Sequence, residues 1–529
     1  MCTLWKSSHR FGATAIVCVL GLSTALLPTV RGGSDQVPTA SQAGQLSLHY
    51  VEASQGLGAK LDGGRTEIEF GDVNRDGNVD IVSIGDHGSP LSSNEHGVMV
   101  WFGDGLGQQG QWQLFQNGNF GYGGVALGDV NNDGSVDVAF GDHHNYSDNQ
   151  FGNRIEGVAL GDNTGMHWTP WDQGLATNGE TYGMFGTDLA DVNNDGFLDY
   201  GSNSFGCCSG VHVYLNRGDG TWSQSAGFLG ENSSDDLVFA DFNGDGNADM
   251  ATANRKGTVF LGDGHGRFRP ADGNLPPMSS QGRAGISVGD VNDDGRDDLA
   301  FATPSGGLQV WTMVSNAVWK NLSGALPASG KFEATQIADM NLDGHGDLVA
   351  FGAGRMVVIA GDGKGNWKLA STFTTPGTQG YAAFRAGTDV DHNGYPDIGV
   401  IAAEGNPFSA RNHFHVFVES SPATALRIFP KHPHGGATMV PGSVRMFEWN
   451  AAVPNGFGAA TVSLAVSSTG PNGPWKKIAG ELPNNGRYQW RVPADLSCVS
   501  GCDVRYEIKA GEATTAVVGH SNFAAKSGR

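Results

Sequence analysis

The chain has 529 residues, of which 54 are acidic and 32 basic, for a formal net charge of −22. With that balance and no cluster of Lys and Arg, nucleic acid is excluded as a partner, because the field would repel phosphate. The length exceeds one ordinary domain, and 82 glycines with only 16% charged residues describe an all-β chain of short strands joined by tight turns.

The first element is residues 1–32. Lys6, His9 and Arg10 precede the apolar run FGATAIVCVLGLSTALLPTV at 11–30, the design of a signal peptide or N-terminal anchor. Contact with a membrane is expected only if this segment stays uncleaved. The segment SLHYVEASQ, 47–55, is a lone strand with no partner nearby.

Then a nonamer begins to recur: DVNRDGNVD at 72, DVNNDGSVD at 129, DVNNDGFLD at 191, DFNGDGNAD at 241, DVNDDGRDD at 290, DMNLDGHGD at 339 and DVDHNGYPD at 389. Successive starts are 57, 62, 50, 49, 49 and 50 residues apart, about the length of a four-stranded propeller blade. Oxygen-bearing side chains at positions one, three, five and nine, a backbone carbonyl at position seven and a turn-forming Gly at position six suit a hard cation such as Ca²⁺, which takes six to eight oxygens. The expected donors are Asp72, Asn74, Asp76, Asn78 and Asp80; Asp129, Asn131, Asp133, Ser135 and Asp137; Asp191, Asn193, Asp195, Phe197 and Asp199; and Asp241, Asn243, Asp245, Asn247 and Asp249. The remaining three loops offer Asp290, Asn292, Asp294, Arg296 and Asp298; Asp339, Asn341, Asp343, His345 and Asp347; and Asp389, Asp391, Asn393, Tyr395 and Asp397. Three carboxylates so close together repel one another unless a cation lies among them. Up to seven structural Ca²⁺ ions, carrying +14 between them, would bring −22 to −8.

Short apolar runs flank each nonamer, so the loop is read as a hairpin between the first two strands of a repeat. A second strand pair follows, and the loop between the pairs emerges at the opposite end. These loops are brief in repeats four to six and long in repeats seven, one, two and three, which adjoin around a closed ring. The long ones carry Asp86, His87, Asp142, His143, His144, Tyr146, Cys207, Cys208, Arg411 and His413, the candidate ligand-binding sector. Trp101, Trp168, Trp171, Trp222 and Trp311 are candidates either for stacking on sugars or for packing between blades. The seventh repeat lacks a fourth strand, and segment 47–55 is the expected substitute.

From 424 onward the nonamer is gone, and alternating runs such as VRMFEWN and DVRYEIKAG read as a β-sandwich of about 100 residues. Cys498 and Cys502 bracket a short loop that an oxidising compartment would close.

The seven nonamers in their strand context resemble the FG-GAP or VCBS repeats of integrin-alpha-type β-propellers over residues 46–420, and residues 424–529 resemble a fibronectin type III or immunoglobulin-like module. The resemblance implies a seven-bladed β-propeller with Ca²⁺-binding hairpin loops followed by a small β-sandwich. Such propellers serve adhesion, lectin and enzyme roles alike. The expected function is a secreted or cell-surface recognition module for a glycan or protein ligand, acting as a monomer. The alternatives are an extracellular polysaccharide lyase or hydrolase using the His, Asp, Tyr and Arg residues of the long loops, and a purely structural component. The chain has no G-x-S-x-G elbow, HExxH helix or phosphate loop, which favours binding over catalysis.

Overall fold

The structure is a computed structural model and describes residues 47–57, 61–62, 67–85, 95–145, 155–180, 184–204, 210–230, 236–253, 258–278, 285–377, 383–404, 411–498, 501–519 and 524–525. All of them fall within one compact unit, Gln45–Arg529. Apart from one short 3-10 turn at Gly107–Gln109, every regular element among them is a strand.

Among the described residues, six antiparallel sheets of four strands and a seventh of five follow one another along the chain, the fifth strand of the seventh being Leu61–Asp62, registered to Asn412 and Arg411. In the first, Ile68–Gly71, Asp80–Ile84, Val98–Phe102 and Gln113–Asn117 pair in sequence order, with the first nonamer joining the first two strands. The seventh takes only three strands from its own repeat, Phe384–Thr388, Asp397–Glu404 and Arg411–Glu419. Its fourth is Tyr50–Glu52, registered Tyr50 to Glu419, Val51 to Val418 and Glu52 to Phe417.

Among the described residues the second strands are buried throughout, not alternating between core and solvent. Asp80–Ile84, Asp137–Gly141 and Asp298–Ala302 are buried at every residue. The reason is that each sheet is covered on both faces by its neighbours. Val82, Ile84, Val98 and Val100 of the first sheet share a core with Val125, Leu127, Val138 and Phe140 of the second. On the other face Ile81, Met99 and Trp101 pack with Phe414 and Val416 of the seventh. The first and last sheets are therefore neighbours, and the ring is closed. Trp101, Trp168 and Trp222 are buried in these interfaces, so they serve packing.

Among the described residues the innermost strands of successive sheets form no ladder with one another, only a single bridge between Gly285 and Ala334. Carboxylates link them instead: Glu67 Oε2 accepts from the amides of Val125, at 3.0 Å, and Thr187, at 3.3 Å. Asp188 accepts from Phe239 N at 2.8 Å, Asp236 from Ile286 N at 2.9 Å, and Arg385 Nε donates to Glu69 at 3.0 Å.

After residue 420 two larger sheets form, beside a two-stranded parallel pair of Thr438–Met439 with Ala524–Ala525. Arg427–His432, Val444–Ala452 and Arg487–Arg491 make one, and Lys476–Pro483, Ala460–Ser467, Asp503–Ala510 and Ala513–Val518 the other. Between them Phe447, Trp449, Val462, Leu464, Trp490, Tyr506 and Ile508 build a separate core. A disulfide joins Cys498 and Cys502 at its edge.

Candidate functional site: the acidic hairpins and the long-loop end

The seven nonamers share one backbone. At every copy the Gly at position six has positive φ, from 80° at Gly295 to 98° at Gly394. Position four is also left-handed, although only one copy has glycine there. Arg75, Asn132, Asn194, Asp293, Leu342 and His392 have φ between 58° and 61°. Holding a non-Gly residue in this region costs about 1–2 kcal/mol, so the loop must be fixed by something stronger than its own preference.

Hydrogen bonds from the backbone to the aspartates do part of this. In the second loop Asp133 N and Gly134 N donate to the two oxygens of Asp129 at 3.0 and 2.8 Å, and Ser135 N donates to Asp133 at 2.7 Å. The amide at position six donates to the first Asp in all seven loops. The ninth residue does something spacing alone did not reveal: its carboxylate accepts from the amide at position two in all seven. In the second loop its other oxygen accepts from Gly161 N at 2.9 Å, tying the hairpin to the third strand.

These bonds do not neutralise the charge. Burial, opposed by the amide bonds and reinforced by neighbouring carboxylates, pushes Asp80, Asp137 and Asp298 up to about 8 and Asp249 to about 9. In the seventh loop carboxylate oxygens of Asp389, Asp391 and Asp397 lie within 4.8 Å of one another, and the buried Asp389 Oδ1 accepts no hydrogen bond. An all-oxygen donor set with unbalanced negative charge fits a hard divalent cation. In the fifth loop an internal cation intrudes: Arg296 holds both oxygens of Asp294, at 3.1 and 2.6 Å.

The C-terminal sheets lie on this end of the ring, a contact that the sequence did not announce. Asn485 Nδ2 reaches Asp72 Oδ2 of the first loop at 3.3 Å, and Gln489 bonds the amide and carbonyl of Asp129 in the second at 3.1 and 2.7 Å. In the third, Val444 N donates to Asp191 Oδ2 at 2.8 Å and Arg491 Nη2 to Asp195 O at 2.9 Å. Arg445 bonds Asn194 of the third loop and Gly246 O of the fourth. The fifth loop is packed so closely that a Cβ on Gly295 would meet Gly436 C at 2.4 Å. The seventh is bonded from Val453 N to His392 O at 2.8 Å. Among the described residues no hydrogen bond from these sheets reaches the sixth loop, and a Cβ on Gly344 would meet nothing within 4 Å.

Of the long-loop candidates, Asp86, His87, Tyr146, Cys207 and Cys208 lie outside the described residues. His144 is placed by its backbone, pairing with Gly121; Arg411 pairs with Asp62 and Glu404, and His413 with Ala402. Asp142 is fully buried, not presented to solvent, and its amide donates to Ile155 O at 2.9 Å. His143 is half-buried, its ring edge-on to Tyr122 at 5.5 Å.

Beneath this sector lies a polar cluster that no motif marks. Glu180, its side chain wholly buried, accepts from Tyr214 Oη and lies 2.8 Å from His212 Nδ1. Burial alone would raise its pKa, but the bonds from His212, Tyr214 and the Asn178 amide bring it down to about 2. Glu156, also fully buried, is pushed well up by burial and then by Glu180 and Asp142. Because Glu180 ionises more readily folded than unfolded, its contribution is complete above about 4.5 and drains away as pH falls toward 2. Glu180→Gln is expected to lose roughly 1–3 kcal/mol at neutral pH and to flatten the fall in stability below pH 4.5. Urea unfolding across pH checks it; an unchanged slope would remove Glu180 from the acid response.

Sheets arranged radially about an axis, each beginning at a hairpin of the same acidic design, define a β-propeller. The FG-GAP-like repeat matches residues 72–140, 204–252, 241–301, 290–350 and 339–400, half of the chain, and the chain belongs to that family. No curated protein shows significant similarity to it. Among solved structures it is similar to the BP39L lectin from Burkholderia pseudomallei, at 16% identity and a TM-score of 0.48 over 69% of this chain and 97% of that one. It is also similar to a lectin of Agrocybe aegerita that recognises non-reducing terminal N-acetylglucosamine, at 20% identity and a TM-score of 0.39 over 58% and 80%. An ancestral GH74 enzyme is similar at 10% identity and a TM-score of 0.37 over 88% and 63%. No functional reading follows from likenesses of that size. Among the described residues no helix is long and apolar enough to cross a membrane.

Proposed function

We propose that the protein is a secreted or cell-surface recognition module for a glycan or protein ligand, built as a seven-bladed, calcium-stabilised propeller over 46–420 with a fibronectin type III or immunoglobulin-like sandwich over 424–529. Residues 1–32 direct export or anchor the chain. Up to seven Ca²⁺ ions sit in the hairpins, where they supply positive charge among the aspartates and rigidity to the turns.

One observation carries the reading. The acidic end of the ring is occupied by the chain's own C-terminal sheets at six of its seven loops. A partner therefore meets the opposite end, where the second and third strands of each repeat are joined. The lyase or hydrolase alternative draws no support from Asp142, whose side chain is buried.

Screening a glycan and polysaccharide array while assaying for new reducing or unsaturated ends tests this reading. Binding in roughly the micromolar to millimolar range is expected, abolished in Tyr146→Ala and Arg411→Ala and without product formation. Released ends would establish the enzyme instead. Binding that survives both substitutions would move the site elsewhere.

A further inference from the structure

Arg445 stands where the third and fourth hairpins approach the C-terminal sheets. Its Nη2 donates to Asn194 Oδ1 at 3.3 Å, inside the third nonamer, and to Gly246 O, inside the fourth. Its Nη1 returns to Val444 O at 2.6 Å, while the amide of that same Val444 donates to Asp191, the first aspartate of the third loop, at 2.8 Å. Burial disfavours the charge of the guanidinium and lowers its pKa, while the carboxylates of Asp191 and Asp241 act in its favour. Among the described residues no guanidinium bonds the sixth hairpin, whose own His345 turns away to Asp293 of the fifth, 2.8 Å distant; burial and the neighbouring aspartates perturb Asp339 and Asp347.

We propose that Arg445 is a resident counter-charge that sets the third and fourth hairpins apart, so that a divalent cation binds them more weakly than it binds the sixth. The inference rests on the reading of the hairpins as calcium sites. Its basis is electrostatic: three aspartates receiving a doubly charged ion no longer attract a guanidinium as strongly, and the ion is repelled by it in a partly buried place where screening by water is poor. By linkage, ions entering these two loops loosen the hold of Arg445, and Arg445 weakens the ions by the same factor. Charge, not shape, is the operative property. Arg445→Lys retains the effect and Arg445→Met removes it.

Calorimetric titration of the full chain with Ca²⁺ after chelator treatment, with circular dichroism to confirm folding of each variant, tests this. The wild type should show a weaker class of sites that Arg445→Met tightens by at least ~10-fold, whereas Arg445→Lys, which keeps the charge, leaves it within about twofold. Adding Asp195→Ala and Asp245→Ala to Arg445→Met should erase the tightened class, assigning it to these loops. If Arg445→Met fails to fold, Arg445→Gln takes its place. Unchanged or weaker binding in the neutral variant, or a gain that survives the two aspartate substitutions, overturns the inference alone. A wild type that binds no Ca²⁺ overturns the calcium reading as well.

Discussion

Deleting residues 47–55 is expected to abolish cooperative folding of the ring. The segment supplies the outer strand of the seventh sheet, Leu48 and Ala53 are buried, and the Tyr50 ring stacks on Phe373 at 5.4 Å. It also anchors the first sheet, because Trp112 Nε1 donates to Ala53 O at 2.9 Å. Burying one large apolar side chain contributes about 1.5–3 kcal/mol, and the deletion opens the outer edge of the third strand of the seventh sheet at Phe417–Glu419. The total, roughly 5–10 kcal/mol, rivals the 5–15 kcal/mol that separates most native proteins from their unfolded chains. Calorimetry of the truncated chain decides it: a melt matching the full-length protein would show that the ring does not depend on this strand.

The second large effect concerns cation occupancy. An ion present at a hundred times its dissociation constant stabilises the state that binds it by about 2.7 kcal/mol per site, and the loops number seven. A melting temperature at least ~15 °C higher in millimolar Ca²⁺ than in chelator is expected, with Mg²⁺ much less effective because it demands a smaller octahedral shell. The six strained non-Gly residues at position four point the same way, since their backbone is held against its own preference. Equal melting in chelator and in Ca²⁺, with no metal found by mass spectrometry, would leave the hairpins as hydrogen-bonded turns and nothing more.

The repeat was legible because it is local. Nine residues hold the pattern of oxygens, and the spacing of the copies sets the size of each sheet. The shared left-handed position four was not legible, because Arg75 and Leu342 are residue types that seldom adopt it. The docking of the C-terminal sheets was hidden for a different reason. Gln489 meets Asp129 across 360 residues and Asn485 meets Asp72 across 413, through neutral side chains that read as ordinary surface residues. Glu156 and Glu180 were overlooked similarly. A lone glutamate in a loop or at a strand end looks solvated, and only the arrival of the third sheet buries it. Among the long-loop residues, burial of Asp142 turns one expected contact into part of the scaffold.

The pairing of Glu52 with Phe417 has a bearing on how the chain comes to its native form. Six sheets can zip up from neighbouring hairpins as synthesis proceeds, but the seventh cannot be finished until its two ends, 365 residues apart at that pair, find one another. Until then the early strand and the strand awaiting it both present open backbone edges, the kind that recruit other molecules. Assembly should therefore finish in one late, slow step whose failure gives aggregates instead of a stable six-sheet intermediate.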